Sequence, residues 1–182
     1  ASGIGRASAI RLAKEGARII MVGRHERQLS ETCSGLAGKD HLFRVCDLTD
    51  ENAVVEMTTD LRKDINALHG VVHCAGIHWL RPLQMTDSNA LQEMLMSHVV
   101  SSIAITRALI TARLAAKEGC SVIWFSSAAA LQGGAGTVAY AAAKGALISA
   151  ARVLAVELAK RRIRINVIAP GVVRTPQSEA FL

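Results

Sequence analysis

The 182 residues include 21 Lys and Arg against 15 Asp and Glu, a net charge of +6, and about half of them (51%) are apolar. That length and apolar content suit one folded domain with a sizeable core, and an aromatic content of 3% is too low for the base-stacking surface of a nucleic-acid binder. The longest apolar stretches, such as Leu68 to Ile77 and Cys120 to Leu131, fall short of the ~18 residues a membrane span needs, and no charged-then-apolar segment opens the chain, so the expectation is a soluble, cytoplasmic protein with no membrane partner.

Apolar positions at helical spacing from Ile4 to Lys14 predict a helix, and the compact run Ala17 to Val22, bounded by Gly16 and Gly23, predicts a strand. An amphipathic stretch from His25 to Leu36 precedes a second strand, His41 to Cys46. Asp47 to Asp50 then supply capping residues for a helix from Glu51 to Asn66. Leu68 to Cys74 is a third strand-like run, and Thr86 to Ser88 can cap a long helix, Ser88 to Ala116. Ser121 to Phe125 is a fourth strand, rich in strand formers. After the Gly133 to Gly136 loop come an Ala-rich helix, Ala139 to Arg161, and a last strand, Arg164 to Ala169, stopped by Pro170-Gly171. Helices interleaved with short apolar strands predict an α/β fold: a doubly wound parallel sheet covered on both faces, in three layers (αβα). No repeat or linker divides the chain, so residues 1–182 read as one domain.

Both ends are expected to be cut. The chain opens directly on a small-residue turn into a helix, without the strand that feeds such a turn, and it stops without a final strand. Cys33, Cys46, Cys74 and Cys120 form no CxxC pair and the six histidines no HExxH, so no metal site is expected. The basic run Lys160 to Arg164 closes a predicted helix, where cations meet the negative end of the dipole, and the surplus charge suits a phosphorylated ligand.

Two places carry chemistry. Ala1-Ser2-Gly3-Ile4-Gly5-Arg6 sets two glycines one residue apart at the mouth of a helix, where bare N–H groups and the helix dipole can receive a pyrophosphate. A plain glycine turn would look the same. Tyr140 and Lys144 lie four apart at the start of the Ala-rich helix and share a face. A nearby ammonium is expected to favour the phenolate and lower the phenol's pKa from ~10, making Tyr140 a usable proton shuttle.

With these motifs the chain resembles the short-chain dehydrogenase/reductase family, whose glycine motif TGxxxGxG is matched in its second half by Ala1 to Gly5. The resemblance implies a Rossmann-type fold whose missing first strand lies in the centre of the sheet, and it gives Ser2, Gly3, Ile4 and Gly5 a role in cofactor binding. Where an acidic residue would bind the ribose of NAD, the strand ends Val22-Gly23-Arg24; Arg24 offers a planar charged fork for a 2′-phosphate, with Arg27 able to help. NADP(H) is therefore the expected cofactor. Asp47-Leu48 matches the position that binds the adenine amino group, and Cys74-Ala75-Gly76 resembles the family's NNAG. There His73 and Cys74 replace both asparagines and read as core residues, while Ala75 and Gly76 still let backbone approach the cofactor.

The resemblance makes Ser127, thirteen positions before Tyr140, the residue that polarises the substrate carbonyl, with Ser126 pointing the other way. Tyr140 becomes the proton donor and Lys144 the residue that holds the ribose and tunes Tyr140. Asn166 to Thr175 resembles the NxxxPGxxxT segment, in which Pro170, Gly171, Val173 and Thr175 would contact the nicotinamide end. The family's catalytic asparagine is replaced by His98, which could hold a water, relay a proton itself, or merely fill space. The implied activity is hydride transfer between nicotinamide and a carbonyl or secondary alcohol, nearest the 3-oxoacyl-acyl-carrier-protein reductase branch. The implied partners are a small-molecule substrate and further copies of the chain in a homotetramer or homodimer. A catalytically impaired dinucleotide-binding sensor or scaffold of the same fold is the alternative.

Overall fold

The computed structural model describes residues 2–176 and 178–179 and resolves into two compact units. The first comprises residues up to 48 together with the described residues beyond 171. Its elements are helix α1 (Gly3–Lys14), strand β1 (Ile20–Gly23), helix α2 (Glu26–Ser34) and strand β2 (Leu42–Val45). β1 and β2 pair in parallel, from Ile20 opposite Leu42 to Gly23 opposite Val45, and α2 makes the crossover that a parallel pair requires. Ala9 and Ala13, four apart on α1, bury with Met21, Leu29 and Leu36, and Ile19 and Phe43 close around them. The His41 ring fixes the strand entry: its Nδ1 accepts from the Ile19 N–H at 3.0 Å, so Nε2 carries the proton and donates to the Ala37 carbonyl at 2.8 Å.

The second unit, residues 49–171, begins with helix α3 (Glu51–Asp64), capped by the Asp50 carboxylate, which accepts from the Asn52 and Ala53 N–H groups at 2.9 and 3.1 Å. Strand β3 (Gly70–His73) follows, then helix α4 (Ser88–Leu95), a π-helical turn (Met96–Val100), helix α5 (Ser101–Thr111) and strand β4 (Cys120–Phe125). Helices α6 (Ala129–Gln132) and α7 (Val138–Leu158) precede strand β5 (Ile163–Ile168). The sheet order is β3-β4-β5, all parallel. Period-2 alternation buries Cys120, Val122 and Trp124 on one face of β4, and Ile163 and Ile165 bury beside them on β5.

The expected alternation and parallel pairing are observed, and the fold is the Rossmann-type α/β class; the strands form two sheets, one in each unit, rather than one. The long helix expected from Ser88 to Ala116 is interrupted by the π-turn and ends at Thr111. Asp87 caps it, accepting from the Ala90 N–H at 2.8 Å. α6 was not anticipated, because four residues are too few to show a period. Two helical stretches, Ser88–Thr111 and Val138–Arg161, are longer than the apolar runs read from the sequence and are long and apolar enough to cross a bilayer by length and composition alone. Each buries a row of residues within its own unit, Ala104, Ala108 and Leu109 on one and Ala139, Ala143, Leu147 and Ala151 on the other.

Candidate active site

The end of β4 and the start of α7 build the site. The loop into α7 turns on Gly133 and Gly136, whose φ values of 71° and 75° suit glycine. One turn into α7, Tyr140 and Lys144 share a face as their spacing requires. The three residues that end β4 and follow it hold them. Lys144 Nζ donates to the Phe125 carbonyl at 2.6 Å, and the Ser126 hydroxyl donates to the Lys144 carbonyl at 2.8 Å. The Ser127 hydroxyl accepts from the Ala129 N–H at 3.2 Å and lies near enough to the Tyr140 phenol to draw its pKa down. Serine, phenol and ammonium thus lie at one end of β4 and α7.

Their electrostatics differ from expectation. Burial pushes the Tyr140 phenol above its ordinary value, and the nearby Ser127 hydroxyl only partly opposes this. The Lys144 ammonium is turned to the Phe125 carbonyl and lies 5.6 Å from the phenol ring centroid, so desolvation outweighs the anticipated lowering. Lys144 is itself buried, which brings its pKa down to about 8. The nearby Cys74 thiol is pushed up by burial to about 11, against the pull of that ammonium.

His98 lies within the π-turn, a distortion that inserts an extra residue into a helical turn and often marks a functional position. Its ring is buried, stands edge-on to Tyr140 with centroids 5.6 Å apart, and donates from Nε2 to the Ile77 carbonyl at 2.7 Å. That bond leaves Nδ1 a bare acceptor with no protein partner. Burial, reinforced by the Lys144 charge, presses the imidazole down to about 3, so near neutral pH it can hold a donor but does not itself carry a proton. The ring also takes the space beside Gly76 that a Cβ there would need. The missing side chain, expected to admit the cofactor, is thus required on this face by His98. On another side of Tyr140, His78 stands edge-on with centroids 4.7 Å apart.

The proposed dinucleotide positions fall in both units. In the first, Ser2 precedes α1 without using its side chain as a cap, and the first turn, with Ile4 and Gly5, contains no acid. Gly3 has a φ of 50°, and a Cβ there would press on the Thr175 side chain at 3.3 Å, so the turn is tight and suited to an anion on bare N–H groups. Gly23 ends β1, Arg24 is exposed, and Arg27 pairs with Glu31 at 2.8 Å in an exposed i,i+4 bridge. Asp47 and Leu48 follow β2 half-buried, and Val173 is exposed. In the second unit, Ala75 and Gly76 follow β3, while Pro170 and Gly171 follow β5, where the Pro170 carbonyl accepts from the Ala128 N–H at 2.8 Å. Of these, the bare N–H groups of the α1 turn and the exposed Arg24 guanidinium have the chemistry to take a phosphate.

Sequence reasoning missed what lies behind this site. His73, expected to be a core residue, is indeed buried, but both its ring nitrogens face serine hydroxyls on α5: Ser101 Oγ at 3.2 Å from Nε2 and Ser102 Oγ at 3.0 Å from Nδ1. The only signal available beforehand was the pair of adjacent serines one turn after His98. Among the described residues no group of three metal-binding side chains occurs.

The family model for the short chain dehydrogenases matches residues 1–181. The 3-oxoacyl-[acyl-carrier-protein] reductase of Bos taurus is 32% identical over 177 residues, 97% of this chain and 74% of that protein. A cyclopentanol dehydrogenase of Comamonas testosteroni is 31% identical over 185 residues, covering 100% of this chain and 73% of that protein. Among solved structures, a short chain dehydrogenase of Escherichia coli CFT073 complexed with NADPH superposes with a TM-score of 0.90 at 30% identity, covering 99% of this chain and 77% of that one.

Proposed function

This chain belongs to the short chain dehydrogenase family, and we propose that within it the protein is an NADP(H)-dependent reductase of ketones or 3-oxoacyl groups. The observation that carries the reading is the Ser127 hydroxyl set near the Tyr140 phenol, close enough to lower its pKa, with Lys144 one turn along the same helix face. A substrate carbonyl oxygen placed on that pair would take a hydrogen bond from Ser127 and the phenolic proton from Tyr140 as its carbon is reduced. Because burial favours the protonated phenol, Tyr140 is poised as donor, which suits reduction. Lys144, with a pKa of about 8, still carries its charge at neutral pH and stabilises the phenolate that remains.

The bound cofactor supplies the hydride from its nicotinamide. In the first unit, Ser2, Gly3, Ile4 and Gly5 would hold its diphosphate, Arg24 its 2′-phosphate, and Asp47 and Leu48 its adenine; Val173 and Thr175 would contact the nicotinamide end. In the second, Ala75, Gly76, Pro170 and Gly171 offer backbone, and Tyr140 and Lys144 reach the ribose. His98 acts by holding: its Nδ1 accepts from a water that connects Lys144 to solvent. The relative crystallised with NADPH supports the cofactor, and the 3-oxoacyl reductase relatives support the substrate class. The apolar side chains left exposed on α7, Val153 and Val156, support a homodimer or homotetramer.

The test is a panel of 3-oxoacyl thioesters and cyclic ketones offered to the full-length protein with NADPH and with NADH. Oxidation of NADPH by the 3-oxoacyl members is expected. Turnover of none of them overturns the reading.

A further inference from the structure

His73 is the buried polar group that the mechanism above does not use. Four short contacts surround it. Its Nε2 and Nδ1 meet the Ser101 and Ser102 hydroxyls, and those hydroxyls also lie 2.6 Å from the Ser97 and His98 carbonyls, one turn back. Serines bonding back to the carbonyl four residues earlier bend a helix and compete with its own ladder. Here each hydroxyl lies within reach of such a carbonyl where the π-turn Met96–Val100 joins α5, and both also contact one imidazole on β3.

The same stretch of chain grips His98 twice. His73 reaches the His98 carbonyl through Ser102, and Ile77, four residues further on, accepts from the His98 ring. Between them lies Gly76, whose bare Cα leaves room for that ring. We propose that His73 is a positioning residue for the reaction: through Ser101 and Ser102 it clasps the π-turn and so sets where His98 stands against Tyr140. This rests on the reading of Tyr140 and His98 given above.

Proton counting sharpens it. Four contacts need four protons, while two hydroxyls and a neutral imidazole hold three. Burial, reinforced by the Lys144 charge, keeps His73 neutral by bringing its pKa down to about 4. The serine facing the bare ring nitrogen must therefore donate to it and release its own carbonyl, either that of Ser97 or that of His98. The tautomer of His73 selects which carbonyl of the π-turn keeps a serine and which keeps a free lone pair.

The experiment compares His73→Leu, His73→Asn, Ser102→Ala and Tyr140→Phe in the full-length protein. It measures turnover, KM, NADPH binding, and the ¹⁵N resonances of the His98 ring. In His73→Leu, kcat should fall at least ~10-fold, as displacement of a positioned group does, with KM and NADPH binding changed by less than about 2-fold. The His98 ring resonances should move at the same time. His73→Asn, which can still donate and accept, should recover most of the turnover, and Ser102→Ala should lower kcat about 3-fold or more. Should His73→Leu not fold, Ser102→Ala carries the test, since it removes only one oxygen. Full turnover in Ser102→Ala together with unmoved His98 resonances overturns the proposal. So does a loss of turnover in either variant that leaves the His98 resonances in place. Wild-type turnover in Tyr140→Phe would overturn the catalytic reading itself, separately from the role of His73.

Discussion

The imidazole of His98 occupies the volume that a Cβ on Gly76 would need, with Cε1 and Nδ1 nearest and Nε2 3.1 Å from that position. Glycine at 76 and the residue at 98 are therefore one packing unit, although 22 positions separate them. Gly76→Ala should destabilise the protein by about 1–3 kcal/mol, the usual cost of overpacking. Pairing it with His98→Asn should return at least ~1 kcal/mol, because the shorter side chain vacates the ring's space. Chemical unfolding of the two single variants and the double variant measures the coupling, and strict additivity would show that the two residues do not compete for space.

For the role of His98, substitution by Asn and by Leu separates holding from filling. His98→Asn retains an amide that can hold a water and should keep most of the activity. His98→Leu should lose at least ~10-fold in kcat. A residue that only fills the core gives the opposite ranking, since Leu suits an apolar site better than Asn.

Acid sensitivity follows from the two buried imidazoles. His73 and His98, ordinarily near 6.5, are brought down to about 4 and about 3 in the fold, chiefly by burial. The unfolded chain then binds protons near 6.5 that the native protein refuses, so stability is full above about pH 6.5 and is lost as pH falls toward 4. Urea midpoints at pH 7.5 and 5 should show this loss, and His98→Asn should reduce it. An unchanged pH dependence in that variant would mean that His98 does not contribute.

Much of this was legible from sequence, and the reasons are local. Helix and strand periods located the elements to within a few residues, and a Tyr-x-x-x-Lys spacing cannot avoid placing both side chains on one helix face. The π-turn was hidden because it lengthens a helical turn without altering composition. The clasp on His73 joins residues 28 and 29 positions apart, a contact that only the packing of α5 on β3 creates. The direction of the Tyr140 shift was misread for a related reason: spacing reveals a neighbouring charge, but neither its turn toward the Phe125 carbonyl nor the depth of burial.

Cofactor choice should follow Arg24, exposed one residue after β1 where an acid would favour NAD. Wild-type protein is expected to prefer NADPH. Arg24→Ala should largely abolish the preference, and Gly23→Asp should reverse it by adding a ribose acceptor and a charge that repels the 2′-phosphate. A wild-type protein that favours NADH in steady-state kinetics contradicts this assignment.

Assembly should depend on α7, where Val153 and Val156 are 64% and 80% exposed and lie three apart on one helix face. Light scattering of the full-length protein at micromolar concentration should give a dimer or tetramer mass, and Val156→Glu should shift it toward the monomer. A monomer mass for the wild type would leave that face without the proposed role.

Tyr140→Phe tests the central claim most directly, because it removes a single oxygen, the phenolic one near the Ser127 hydroxyl. If the phenol gives its proton to the carbonyl oxygen, turnover should fall at least ~100-fold, while NADPH affinity, followed by the cofactor's fluorescence, stays within about 2-fold. Wild-type turnover in this variant would end the catalytic assignment of Tyr140.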